Sequence, residues 1–408
     1  IAALLLGTMF LLAGSGLLGI LLPLRGQAED FSTSSLGLLG TAWAGGFIAG
    51  CLIAPHAVRS VGHIRAFAAF AAVGAIVALA SGIFVLAPFW IVIRIVTGFA
   101  MAGCIMIIES WLNERSTNEN RGTIFAIYMM VTYAAITGGQ LLVATGNVTH
   151  ATLFMVTGIF YCLALIPTAL STAASPRPLL SVKLDLRELY NHSPISVAAC
   201  VLIGIANGSW GTLGPVFGAR SGMPTPEIAV MMSLTVVAGG AMQLPVGRIS
   251  DRTDRRYVLA GVAIFAALAG LSIFIVEPRE TTATIAMTVL YGAAAYTLYS
   301  VAVAHANDHA DAESFVRVSG GLLLLYGFGT MAGPLISAGL MDLFRPESLF
   351  LTTMLAHSTI AVYAIYRSRQ RAAVPQELKE AFKTLPAERT VTPEALRLDP
   401  RSEGDKLS

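Results

Sequence analysis

Apolar stretches of about 20 residues recur along nearly the whole chain, and each is long enough to cross the hydrocarbon core of a bilayer as a helix. Lipid offers no partner to backbone N–H and C=O groups, so spanning segments must be helices or a closed barrel. The length of these runs selects helices. The chain has 408 residues, of which 55% are hydrophobic and 12% charged; soluble domains carry about 25% charged residues. There is too little polar surface here for the two or three soluble domains that such a length would otherwise suggest. Because the runs repeat, no single one reads as a cleaved signal peptide.

The sequence therefore predicts an all-α membrane protein with twelve transmembrane helices, at 2–24, 36–57, 66–87, 89–111, 123–145, 151–172, 194–217, 227–247, 257–276, 283–306, 318–340 and 348–366. The connections after odd-numbered helices hold Arg25, Arg220, Arg279 and Arg345. Those after even-numbered helices hold Arg59, Arg65, Arg115, Arg121, Arg177, Lys183, Arg187, Arg248, Arg252, Arg255, Arg256 and Arg317. Excess Lys and Arg marks the cytoplasmic side, which places both termini there. The longest internal connection, 173–193, divides the chain into an N-terminal six-helix bundle (1–172) and a C-terminal one (194–366). Equal halves suggest an internal repeat. Residues 367–408 are charged, punctuated by proline and almost free of aromatics. They read as a largely disordered cytoplasmic tail with at most a short helix near Gln376–Phe382.

Arg94 lies inside the fourth run, Pro88–Gly103. A guanidinium at membrane depth costs about 2.5–3.5 kcal/mol on insertion scales, so it must face a wet cavity or a protein partner, or reach back to the interface. Gly98, Ala100, Ala102 and Gly103 after it allow a neighbouring helix to come close. Glu109, near the end of the same run, is the best candidate for a buried carboxylate that titrates; pairing with a loop arginine is its structural alternative. No Asp or Glu stands near the middle of any helix, so proton coupling would run through helix-end groups such as Glu109, Glu29 or Asp308. His305 and His309 have the i,i+4 spacing of a metal pair, but no third ligand accompanies them, and polar capping is the expected role. Cys51, Cys104, Cys162 and Cys200 lie far apart in apolar runs without metal or redox spacing. Net charge of +2 gives no reason to expect nucleic acid.

The segment Gly247-Arg248-Ile249-Ser250-Asp251-Arg252-Thr253-Asp254-Arg255-Arg256 resembles the loop signature of the major facilitator superfamily, G-x-x-x-D-R-x-G-R-R/K, with Asp254 in place of the second glycine. Asp251, Arg252, Arg255 and Arg256 read as a charge latch on the inner gate, or as plain positive-inside anchoring. The equivalent stretch after helix 2 keeps Gly62 and Arg65 but has Arg59 where the family has aspartate. Arg94-Ile95-Val96-Thr97-Gly98-Phe99-Ala100-Met101-Ala102 is similar to the family's R-x-x-Q-G-x-G-x-A. Gly327–Pro334 looks like the glycine-proline signature of drug antiporters, in helix 11 rather than helix 5. Glu109–Gly122, with Val61–Arg65 and Pro23–Gly26, resembles the YcaD-type branch of bacterial members, over roughly residues 1–366.

The resemblance implies two pseudo-symmetric six-helix bundles, the major facilitator fold, with a central cavity lined by helices 1, 4, 7 and 10. Arg94 would face that cavity. Asn207, Ser209, Trp210 and Thr212 of helix 7, and Tyr291, Tyr296, Tyr299 and Ser300 of helix 10, would line it. Gln140, Tyr133, Gln243 and Tyr326 would join them. The implied protein is a multi-pass carrier of the bacterial inner membrane, most simply a monomer, moving a small organic solute by alternating access. Export is the leading direction, proton coupling stands beside uncoupled transport or coupling to another ion, and neither cofactor nor metal is expected. Uptake of a sugar, nucleoside or organic acid is the alternative within that class. A non-transporting sensor or scaffold is the alternative outside it. A membrane-embedded enzyme would need clustered nucleophiles or ligands at one depth, which the sequence lacks.

Overall fold

The computed structural model describes residues 1–117, 119–169, 185–309, 315–370, 375, 379, 382 and 392–398. The helices are α1 (Ala2–Ala28), α2 (Thr33–Val61), α3 (His63–Ile83), α4 (Ala87–Glu114), α5 (Arg121–Leu142), α6 (Thr152–Ala169), α7 (Leu186–His192), α8 (Pro194–Arg220), α9 (Thr225–Arg252), α10 (Arg255–Val276), α11 (Thr281–Ala295), α12 (Leu298–Asn307), α13 (Phe315–Leu343) and α14 (Leu349–Ser368). Among the described residues eleven spans are long and apolar enough to cross a membrane, and Thr152–Thr168 is a shorter apolar helix. Local chemistry sets several starts. Ser32 accepts from the N–H of Ser35 ahead of α2, and Ser193 from that of Ser196 ahead of α8. Pro88 and Pro194 sit in the first turn of α4 and α8, where no backbone donor is lost.

The chain forms two compact units: Ile1–Val182 with Thr390–Ser408, and Lys183–Arg389. In the first, α1 packs on α5 and α6, α2 on α4, and α3 on α6. In the second, α8 packs on α13 and α14, α9 on α11, and α10 on α14. The same pairing order recurs in both, as an internal repeat requires. Glycine enables the closest contacts. A Cβ on Gly46 would lie 2.0 Å from the Ile95 carbonyl oxygen, and one on Gly98 2.1 Å from that of Trp43, locking α2 to α4. In the second unit a Cβ on Gly329 would lie 2.1 Å from the Val201 oxygen. Large apolar side chains such as Ile76, Val92, Leu268 and Val362 remain exposed.

Three details depart from the sequence reading. The eighth span does not stop near residue 247 but runs on to Arg252, so most of the signature segment is helix. The tenth span is broken at Tyr296–Thr297 into α11 and α12. The last part of the 173–193 connection folds as α7, whose Leu189 is buried and abuts Gly321; residues 173–184 lie outside the described residues. Of the helix expected near 376–382, only Lys379 and Phe382 fall within them. Farther along, Pro393–Leu398 forms a 3₁₀ helix.

Candidate solute and coupling site

Helix α4 carries the two charged candidates of the first unit. Arg94 and Glu109 are fifteen residues apart, about 22 Å along the axis at about 1.5 Å per residue. Arg94 is half-buried. Its Nε donates to the Leu39 carbonyl at 3.4 Å, and its guanidinium carbon lies 5.8 Å from the centre of the Trp43 ring, so α2 supplies both an acceptor and a π face. The tight glycine contact between α2 and α4 puts them within reach.

Glu109 has no exposed surface. No arginine or lysine pairs with it among the described residues. Its Oε1 accepts from the Tyr128 hydroxyl of α5 at 2.9 Å. The remaining donors come from near the far end of the chain. The N–H of Thr392 donates to Oε1 at 3.3 Å, and the Thr392 hydroxyl donates to Oε2. Burial of a carboxylate requires such donors, because a buried acceptor left unmade costs about 1–3 kcal/mol, more when charged. Gln140 of α5 is also buried in this unit.

In the second unit Asn207 and Trp210 are buried on α8. Trp210 packs edge-on to Tyr291 at 5.9 Å and against Phe350 at 5.7 Å, within an aromatic cluster of α8, α11 and α14. Tyr296 stands at the break between α11 and α12, with its Cβ 2.5 Å from where a Cβ on Gly239 would sit. Tyr299 meets the Tyr326 ring at 5.0 Å, and Ser300 donates to Gln243 at 3.3 Å. Tyr296, Tyr299, Ser300, Gln243 and Tyr326 thus gather around that loosened turn.

The signature segment builds an ion network within the second unit. Arg255, 1% exposed, donates through Nε and Nη2 to both oxygens of Asp308, at 2.6 and 3.2 Å. Its Nη1 reaches Asp251 at 3.2 Å and Ser250 at 3.1 Å. Asp251 also accepts the N–H of Phe382 at 2.9 Å, and Phe382 packs on Gly247. Asp254, which replaces the signature glycine, caps α10 by accepting the N–H of Arg256, and it holds the Arg256 guanidinium at 2.7 Å. Burial pushes the pKa of the Asp254 carboxyl up, but the hydrogen bonds and charge of Arg256 outweigh it and hold it below the usual carboxylate range. Arg252 is exposed. In the first unit Arg59 and Arg65 are exposed, and Arg59 Nε donates to its own helix, at the Pro55 carbonyl 3.3 Å away. Gly62 joins α2 to α3 at φ +86° and ψ 160°, a conformation essentially restricted to glycine.

His309 Nδ1 contacts the His305 carbonyl at 2.9 Å, and among the described residues no group of three possible metal ligands forms. The two histidines border, with Arg256, Arg367 and Ser193, a cavity of about 20 Å³, room for one water.

The sequence profile of the Major Facilitator Superfamily matches residues 4–288 and 222–400. The chain belongs to the Major Facilitator Superfamily. It is 30% identical over 379 residues to the MFS-type transporter YcaD of Salmonella arizonae, covering 91% of this chain and 96% of that one. The YcaD of Shigella flexneri is 29% identical over 387 residues with the same coverage. Among solved structures the nucleoside transporter NupG matches with a TM-score of 0.73 at 12% identity, over 90% of this chain and 98% of that one. The D-xylose–proton symporter matches at 0.64 and 17%, over 94% and 98%. The protein is thus a multi-pass membrane transporter of the major facilitator fold, in a family of carriers rather than enzymes.

Sequence reasoning missed three partners in these sites. Tyr128 gave no signal, since nothing in its spacing ties it to Glu109. Asp308 reads in the sequence as a titratable end group, and nothing in its spacing marks it as the counter-charge of Arg255. Thr392 was readable as a helix start, because Thr followed by proline is an N-terminal pattern, but not as a ligand of α4.

Proposed function

We propose that this transporter moves a small organic solute across the bacterial inner membrane by alternating access, in the direction of export, with protons as the coupling ion and both termini in the cytoplasm. The observation that carries the proton-linked reading is Glu109: a fully buried carboxyl on a membrane-spanning helix, held among the described residues by hydroxyl and amide donors rather than by a cation. Such a group can change protonation state without breaking an ion pair. Arg94 with Trp43 offers the solute a charged and an aromatic contact on the same helix pair. Asn207 and Trp210, with Tyr296 and Tyr299 at the helix break, are the solute-contact candidates of the second unit, and Gln140 of α5 is a further candidate of the first. Asp251, Arg255 and Arg256 supply the gating charges. The asymmetry of Lys and Arg between alternate connections supports the orientation.

A second reading, uptake of a nucleoside or sugar, takes its substrate classes from NupG and the D-xylose–proton symporter, which share the fold. A thermal-shift screen of small solutes on purified protein, repeated with Arg94→Ala, separates site from scaffold. The expected hit stabilises the unmodified protein and not the variant; equal stabilisation removes Arg94 from the site. In proteoliposomes the hit should leave by the exporting direction in response to a pH gradient, and Glu109→Gln should blunt the pH dependence of flux. Unchanged pH dependence excludes Glu109, and flux with only the opposite vector establishes uptake.

A further inference from the structure

Residues 392–398 return to the first unit after the whole second unit has been made, and they bind it as a ligand would. Thr392 is fully buried and gives both its hydroxyl and its N–H to the Glu109 carboxyl, 283 positions earlier in the chain. Asn113, one turn on from Glu109, donates from Nδ2 to the Glu394 carbonyl at 2.9 Å. The 3₁₀ helix Pro393–Leu398 packs on α4 and α5, with Ala395 only 3% and Leu396 only 5% exposed. Side-chain donors, a backbone acceptor and apolar anchors therefore all meet one patch of α4 and α5. A charged, proline-rich segment has little reason to order itself unless specific contacts offset the chain entropy lost. Here those contacts converge on a carboxyl that could not otherwise be buried without an exposed or unmet acceptor.

We propose that the segment 392–398 is an intramolecular ligand of the first unit, which seals Glu109 from water when docked and must leave for that carboxyl to become accessible. The tail is then a self-inhibitory element acting on the coupling residue. That consequence rests on the assignment of Glu109 above, whereas the docking stands on its own contacts.

The test uses the full chain in a Cys162→Ser background. With Ala395→Cys added, the docked segment should shield the new thiol, so that a water-soluble maleimide reacts at least tenfold slower than when Leu396→Glu is also present. In parallel, a water-soluble carbodiimide with glycine methyl ester is used to label accessible carboxyls, read by peptide mass spectrometry. Glu109 should label at least tenfold faster in Thr392→Val and in Leu396→Glu than in the unmodified chain. An introduced thiol at position 395 that reacts as fast as a free thiol overturns the docking. Protection of that thiol with Glu109 labelling unchanged on release overturns the seal. Failure of the coupling role looks different: the thiol and Glu109 both label as expected, while Glu109→Gln leaves the pH dependence of flux intact.

Discussion

The loops after α2 and after α9 occupy equivalent places in the two repeats, and both are basic, yet they are built differently. In the second unit Arg255 is buried between Asp308 and Asp251, and Arg256 is clamped by Asp254. In the first unit Arg59 stands at the position of the acid and faces outward, and the turn is made by Gly62 in a left-handed conformation. One loop is held by buried charge and the other by backbone geometry. Basic residues alone therefore do not make a latch; an arginine is trapped only where a carboxylate is delivered to it, and in the second unit the main one comes from the end of α12.

The largest expected effect strikes the charge-built loop. Arg255→Ala leaves Asp308 buried without its cation and should cost about 3–5 kcal/mol, read as a large drop in the melting temperature of the purified protein. Arg59→Ala, at the equivalent loop, should stay within about 0.5 kcal/mol, as exposed substitutions do. Equal effects at the two sites would erase the distinction. Next comes the backbone-built loop. Gly62→Ala forces a side chain into a glycine-only region and should destabilise by about 1–3 kcal/mol; a melting temperature equal to that of the unmodified protein would show that the turn rearranges freely.

The smallest effect is a pH signature. The folded-state pKa of Asp254 lies below its unfolded value of about 3.9, so its contribution is fully present above that value and is lost as pH falls through the folded value. Asp254→Asn should lower the melting temperature at pH 7, with the gap closing at acid pH. A gap that persists unchanged at pH 3 would show that the effect does not come from the carboxylate charge, because Asn keeps the cap.

Part of the candidate site was legible in the sequence because its signal is local. Arg94 and Glu109 stood out as charges within one apolar run, and Asp254 as a departure from a short pattern. Gly98 announced a close helix contact, which α2 makes. The rest was not legible, because the partner lies elsewhere in the chain. Asp308 meets Arg255 across 53 positions, and Thr392 meets Glu109 across 283. The break at Tyr296–Thr297 had no proline or glycine pair to mark it.

By itself the sequence determined that this chain crosses a membrane as helices, roughly where each begins and ends, and that the pattern repeats in two halves. Run length, burial in lipid and backbone hydrogen bonding within each helix settle those matters locally, residue by residue. Only the tertiary structure decided which carboxylate meets which arginine, which helix α4 touches through its glycines, and that the segment 392–398 comes back to cover Glu109. Those pairings depend on where packed helices bring distant residues, and charge, polarity and spacing along one segment carry no record of that.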